Sequence, residues 1–484
     1  MTRACAVALG AVAVAVGAGL TPPPLAAQDT SAIDRGVRIG ILYRPGVRPG
    51  MVVLSGNAST LDSVRTIIAR DLDYSDRFEL ITLPGGDSIR VATAPPAPAP
   101  DARAATSAGG KATGGPAGHA GPAGHAGPAG SAAVGLNYPL YQALGADFAV
   151  AIATPSPDTT VVTVHDVAAG GVRREFRAHV PPLKDAGFRL AVHHFADRIL
   201  EATLGVAGTA ATRVLLVLDG KVYSVDQDGA AFTLVSASDH AALSPAWAPD
   251  GRRYAYMEFW QGHGRLIVQD LATGKRGAVA TSGQALDFTP AFAPDGKTIA
   301  FSRATDEGTD IYTVNYKDNC CLQRLTVGRF SDNLSPVYGP DGRRIAFVST
   351  RAGAPQIYAM AADGTDQQLF APFDYGVTGS SYAPDWSPDG LSVAFHREVG
   401  GTYQVFVLDV RTRGVRQLTS LGRNEDPTWA PDSRHMAFVS DRAGFRQIWI
   451  VDVETGRIRA LVPQSGARLP AWSPRLPETP ASTP

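Results

Sequence analysis

Two patterns of apolar and polar positions divide the chain. From about residue 208 onward, short alternating runs recur, such as Arg344-Ile-Ala-Phe-Val-Ser349 followed by Gln356-Ile-Tyr-Ala-Met360. Period-2 alternation predicts half-buried strands. Each pair comes after an aromatic segment and a Pro-Asp-Gly turn, and a third short run closes it, such as Gln368-Leu-Phe370 or Arg416-Gln-Leu-Thr419. Proline presets φ at the second turn position, and Asp and Gly tolerate the turn conformations after it, so the tripeptide is a hairpin signal with a mechanism. Pro245-Ala-Trp-Ala-Pro-Asp-Gly251 recurs as Pro290–Gly296, Pro336–Gly342, Pro384–Gly390, Pro427–Ser433 and a truncated Pro470-Ala-Trp-Ser-Pro474. The second prolines fall at 249, 294, 340, 388, 431 and 474, a spacing of 43 to 48 residues that matches one four-stranded propeller blade.

The last copy stops after its aromatic strand. Arg213-Val-Leu-Leu-Val-Leu218, Lys221-Val-Tyr-Ser-Val225 and Phe232-Thr-Leu-Val-Ser236, ahead of the first full copy, supply what it lacks. The expectation is an all-β six-bladed β-propeller over 208–475 whose closing blade is shared by the two ends of the region, which removes open sheet edges. Residues 476–484 read as a disordered Pro-rich tail.

Residues 28–207 lack the repeat and predict a smaller α/β domain. Val37–Ile41, Met51–Leu54, Arg77–Ile81, Asp147–Ile152, Val161–His165 and Arg174–Ala178 read as strands. Ser59/Thr60 can cap a helix carrying Leu61, Val64, Ile68 and Leu72 on one face, and a second helix spans about 185–204 with Leu190, Val192, Phe195, Ile199 and Leu200 packed on the sheet. Between 94 and 133 the chain is mostly Ala, Gly and Pro without Leu, Ile, Val or aromatic residues, and this insertion cannot bury a core. His119 and His125 lie in it without an acidic or thiol partner, so they belong to a linker and not to a metal site.

Composition narrows the function. With 44 Lys+Arg against 45 Asp+Glu there is no field to hold a polyanion, and nucleic-acid binding is not expected. Residues 1–27 carry one early charge at Arg3, an uncharged apolar stretch and small Ala26-Ala27, the pattern of a secretory signal peptide, with a retained anchor as the alternative. Cys5 lies too early for lipid attachment. No other stretch is long and apolar enough to predict membrane insertion, which leaves a soluble exported protein. Cys320 and Cys321 read as two incidental loop cysteines, a vicinal disulfide being the alternative.

No Gly-x-Ser-x-Gly elbow, His-Glu-x-x-His pair, Walker loop or Cys-x-x-Cys pair occurs, so neither an enzyme nor a cofactor is expected. One of His193-His194 reads as a buried, hydrogen-bonded helix residue. Asp250, Asp295, Asp341, Asp389 and Asp432 look like a carboxylate array, but their turn position accounts for them.

The heptapeptide repeats, together with Ser349-Thr-Arg-Ala-Gly-Ala-Pro-Gln-Ile-Tyr358, Ala362-Asp-Gly364, Leu469–Leu476, Ile68-Ala-Arg-Asp-Leu-Asp-Tyr-Ser-Asp-Arg-Phe78, Leu144–Asp147 and His194-Phe-Ala-Asp-Arg-Ile199, resemble the TolB family of the Tol–Pal system. The resemblance covers nearly the whole chain after the signal peptide. It implies a monomeric, non-enzymatic periplasmic adaptor that supports outer-membrane integrity and constriction at cell division. Its implied partners are a Pal-like lipoprotein on the propeller and a TolA-like inner-membrane protein at the N-terminal segment, where Val37, Arg38, Ile39 and Ile41 match the family's partner-binding stretch; other outer-membrane proteins are further partners. The chain departs from the pattern at Gln28–Asp34, at the 94–133 insertion and after Leu476.

Loops at a channel mouth can vary without disturbing the blades. The partner face is therefore expected where the chain enters each inner strand: Leu286, Phe288 and Thr289; Asn333, Leu334 and Ser335; Ser381 and Tyr382; Glu425 and Asp426. The alternative for Leu286, Phe288 and Leu334 is that they cover the ends of their own blades. The alternative function is a propeller enzyme or a propeller binding a small ligand or carbohydrate.

Overall fold

A computed structural model describes residues 48–55, 59–83, 136–156, 159–236, 239–279, 281, 285–329, 331–372 and 379–478. The signal peptide, the Val37–Ile41 segment and the 94–133 insertion lie outside the described residues.

The N-terminal domain is a mixed sheet of β1 (Gly50–Ser55), β2 (Glu79–Leu80), β3 (Ala146–Ser156), β4 (Thr159–Asp166) and β5 (Gly171–Ala178), in the order β2-β1-β3-β4-β5. Helices α1 (Ser59–Tyr74) and α3 (Phe188–Leu204) cover one face, and α2 (Tyr138–Ala143) packs near the other. The apolar face expected of α1 is buried, with Leu61, Val64, Ile68 and Leu72 in one core with Val192, Phe195, Ile199 and Leu200 of α3. Leu190 departs from that face and packs instead against the propeller core around Trp247 and Tyr254.

Six four-stranded antiparallel sheets complete the chain. Blades 1 to 5 start at inner strands Ala242–Trp247, Leu286–Phe292, Asn333–Tyr338, Ser381–Trp386 and Asn424–Trp429. Blade 6 takes its inner strand, Arg468–Trp472, from the chain's end and its outer three, Arg213–Leu218, Lys221–Asp226 and Thr233–Leu234, from the region's start, as the repeat predicts. The Pro-Asp-Gly turns are built as expected: Asp250 Oδ1 accepts the N–H groups of Arg252 and Arg253 at 2.9 and 3.1 Å, and Asp295, Asp341, Asp389 and Asp432 do the same two residues on. These carboxylates are occupied by their own turns.

Leu476, expected at the start of a loose tail, is 5% exposed and sits in the core shared by blades 6 and 1. Its N–H donates to Ala211 O at 2.9 Å, while Arg198 of α3 pairs with Glu478. The glycine of the first Pro-Asp-Gly turn makes the room, since a Cβ on Gly251 would lie 3.3 Å from Leu476 Cδ2. The tail expectation is thus corrected for residues 476–478; 479–484 lie outside the described residues.

The propeller turns joining strands 1 to 2 and 3 to 4 of blades 5 and 6 receive the N-terminal domain through buried charges. Asp71 and His193 meet at 2.7 Å, His193 lies 3.6 Å from Asp226, and Arg189 binds Asp226 and Asp228. In the second network Asp76 faces His435 at 3.3 Å and Arg457 at 2.8 Å, and Arg434 binds Asp452 and Glu454. Three metal-type ligand groups converge in each, Asp71, His193 and Asp228 in one and Asp76, His435 and Asp452 in the other. Arg189 and Arg434 already supply the positive charge a metal would bring. Burial disfavours the imidazolium, yet Asp71 and Asp226 outweigh it and hold His193 at about 10; Asp432 and Asp76 likewise raise His435 to about 9.

Candidate partner-docking face

In every blade the inner strand carries a register shift at the residue preceding its first proline. Ser244, Thr289, Ser335, Ala383, Asp426 and Leu469 occupy these positions with φ between 46° and 55°, all left-handed and none a glycine. Proline cannot donate to the ladder, so the strand bulges there. Non-glycine residues in this region cost on the order of 1–3 kcal/mol each and persist only where the surroundings hold them. Neighbouring blades do so: Ser335 N donates to Ser302 Oγ at 3.0 Å, and Asp426 N donates to His396 Nδ1 at 3.1 Å.

The expected partner residues therefore lie on the inner strands themselves and not in loops ahead of them. Asn333 and Ser381 are fully buried. Asn333 Nδ2 donates to Asp310 and its Oδ1 accepts Ser349 Oγ and Arg351 Nη2; Ser381 Oγ accepts Arg397 Nε at 2.9 Å. Both are structural and leave the candidate surface. Arg351 and Arg397 in turn stack on aromatic rings of their blades, Phe347 and Tyr358 in one, Phe395 and Phe406 in the other. Leu334 packs partly into the core shared by blades 3 and 4, and Leu286 of blade 2 lies against Gly264 of blade 1, so both sit at seams between blades. Thr289 Oγ1 bonds Ser302 Oγ at 2.6 Å, and Phe288 is half-buried beside it.

Tyr382, Glu425 and Asp426 meet in one place, at the mouth opposite the N-terminal domain. Tyr382 stacks near His396 and Tyr403, with centroids 5.7 and 6.0 Å away. Arg423 lies over the Tyr403 ring at 4.6 Å and donates to Glu425 at 2.8 Å, and Arg446 approaches Glu425 at 3.5 Å. Burial lowers His396 to about 4 and raises Asp426 to about 7, Glu425 adding to the latter. His396 is therefore neutral at pH 7, free to accept from Asp426 N–H.

A family model described as the TolB beta propeller domain matches residues 201–374 and 375–477, more than half of the chain. The chain belongs to the TolB β-propeller family. A TolB of the Tol–Pal system from Alcanivorax borkumensis is 33% identical over 126 residues, 24% of this chain and 29% of that protein. The one from Bordetella pertussis is 31% identical over 182 residues, 37% of this chain and 41% of its own length. These alignments span less than half of each relative. The crystal structure of TolB from Acinetobacter baumannii shares the fold, with a TM-score of 0.67 at 23% identity over 88% of this chain and 96% of that one.

On this TolB propeller, sequence reasoning misses the rim of the same mouth. Phe259, Val327, Val399, Leu421 and Phe445 are each 40% or more exposed, and all lie where strands 2 and 3 join or where a blade hands over to the next. The hairpin signals locate these loops one by one, but only the closed ring brings them to one face. Arg70, Asp71, Asp73, Tyr74, Asp76 and Arg77 have another role: this charged stretch at the end of α1 is a surface that docks on the propeller.

Proposed function

We propose that this chain is a non-enzymatic periplasmic adaptor of the Tol–Pal system. On this reading its propeller mouth binds a Pal-like lipoprotein, and its N-terminal segment, with Val37, Arg38, Ile39 and Ile41, binds a TolA-like inner-membrane protein, supporting outer-membrane integrity and constriction at division. Family membership supports the setting. None of the described helices is long and apolar enough to cross a membrane, which fits an exported adaptor. The single observation that carries the docking site is the ring of exposed apolar side chains around a polar centre at the mouth left open by the N-terminal domain. Tyrosine and arginine are among the side chains enriched at protein-binding hot spots, and the exposed apolar side chains beside them offer further contact area. Leu286, Phe288, Thr289, Leu334 and Ser335 contribute as the wall behind that centre, with Tyr382, Glu425 and Asp426 in direct contact.

Capture of the exported chain on an immobilised Pal-like lipoprotein tests the reading. Binding that survives in a chain lacking residues 28–42 but is lost on changing the mouth supports it. Equal capture by mouth variants would place the partner elsewhere.

A further inference from the structure

Cys320 and Cys321, expected to be incidental, are joined to each other by a disulfide. They open the outer strand of blade 2, Cys320–Arg324, and both are exposed, as are Asp318, Asn319, Leu322 and Gln323. Adjacent residues cannot clip distant chain together, so this bridge is no structural staple. It occupies a bulge: Asn315 pairs with Cys320 and Thr313 with Gln323, leaving Cys321 and Leu322 opposite Val314 alone. The turn follows its counterparts in blades 6 and 3, where Gly229 and Ala231, and Gly364 and Asp366, are left-handed on either side of one residue; here Asn319 (φ 48°) and Cys321 (φ 65°) flank Cys320 in the same way.

From this exposed pair we infer a reversible thiol–disulfide modification site on the propeller rim. A dithiol oxidoreductase of the exported compartment would attack one sulfur. Its second thiol would then resolve the mixed disulfide, leaving the enzyme oxidised and Cys320 and Cys321 as two thiols. The reduced pair holds two sulfur ligands on neighbouring residues, a chelate suited to a thiophilic trivalent arsenical, which forms two As–S bonds with loss of water from the arsenoxide. Access is unobstructed because the pair lies on the outermost strand, away from the blade 5 and 6 turns that hold the N-terminal domain.

The test is alkylation of the folded, oxidised chain followed by peptide mapping, which separates this pair from Cys5. Without reductant the 318–324 peptide should take no label; after a dithiol reductant, in the absence of denaturant, it should take two. Phenylarsine oxide added after reduction should block both labels, and Cys320→Ser should take one label without reduction and lose arsenical protection. Two labels before reduction would overturn the disulfide. A requirement for denaturant would overturn the accessible site, and labelling unaffected by phenylarsine oxide would overturn the chelate.

Discussion

The N–H of Ser473 donates to the carbonyl of Arg213 at 2.8 Å, and Arg213 N–H returns a bond to Ser473 Oγ at 2.9 Å, joining residues 260 positions apart. This reciprocal pair closes the ring, and Trp247 of blade 1 extends it by donating Nε1–H to Ala471 O at 3.0 Å.

Deleting Leu469–Pro474 strips blade 6 of its inner strand and exposes an edge, so it is expected to abolish cooperative melting. Leu476→Ala should cost about 2–4 kcal/mol, the range for truncating a buried leucine. A stop after Glu478 keeps every contact described for the chain end and should leave the melting temperature of the parent. Calorimetry on the three variants checks this ordering, and an unchanged melt for Leu476→Ala would refute the anchoring role.

What can be read from the sequence is what is local. The Pro-Asp-Gly turn is built by Asp side chains reaching two residues ahead, so a seven-residue motif suffices to find each blade, and the truncated sixth copy announces the shared closure. Leu476 escapes such a reading because a leucine between Arg475 and Pro477 carries no periodic signal; the groups that receive it, Ala211 and Gly251 among them, lie more than 200 residues earlier in the chain. The charged run from Arg70 to Arg77 looks like a solvated helix end, and its partners His193, Asp228, His435 and Arg457 lie more than 100 residues away. The left-handed inner strands are hidden for a similar reason, since they depend on the adjacent blade.

The two interdomain histidines set a pH dependence. Both hold their proton more tightly folded than unfolded, where histidine titrates near about 6.5. Their stabilisation is complete below that pH and is lost progressively as pH rises through about 9 for His435 and about 10 for His193. Urea unfolding should therefore show stability falling across that window. His193→Gln together with His435→Gln should flatten the slope and cost about 3–5 kcal/mol at pH 6, because buried carboxylates lose their partners. An unaltered slope in the double variant would assign the pH dependence to other groups.

Asp385 on the inner strand of blade 4 acts in the same direction in a lower pH window. Its Oδ2 accepts Trp429 N–H at 2.7 Å, and burial raises it to about 7 despite that bond. The folded chain prefers the protonated acid, so stability declines as pH rises from the ordinary carboxylate value through about 7. Asp385→Asn keeps an acceptor for Trp429 and cannot ionise. It is expected to melt with the parent at pH 4 and to be more stable by about 1–3 kcal/mol at pH 8. A loss of stability at pH 8 would show that the ionised form is the one the channel holds.

The docking face is tested by charge placed on its exposed rim. Leu421 is 66% exposed and Phe445 43%, so Leu421→Asp and Phe445→Asp remove apolar contact area without opening a core. Each should leave the melting temperature unchanged, and together they should weaken capture of a Pal-like lipoprotein at least thirtyfold, or about 2 kcal/mol, as expected of hot-spot positions. Leu391 provides the control: it is 64% exposed but lies in the blade 4 Pro-Asp-Gly turn, at the opposite end of the channel. Leu391→Asp introduces the same charge at similar exposure and should bind as the parent does. If Leu391→Asp loses capture while the rim variants keep it, the partner docks beside the N-terminal domain, and the mouth lined by Tyr382, Glu425 and Asp426 is not the binding site.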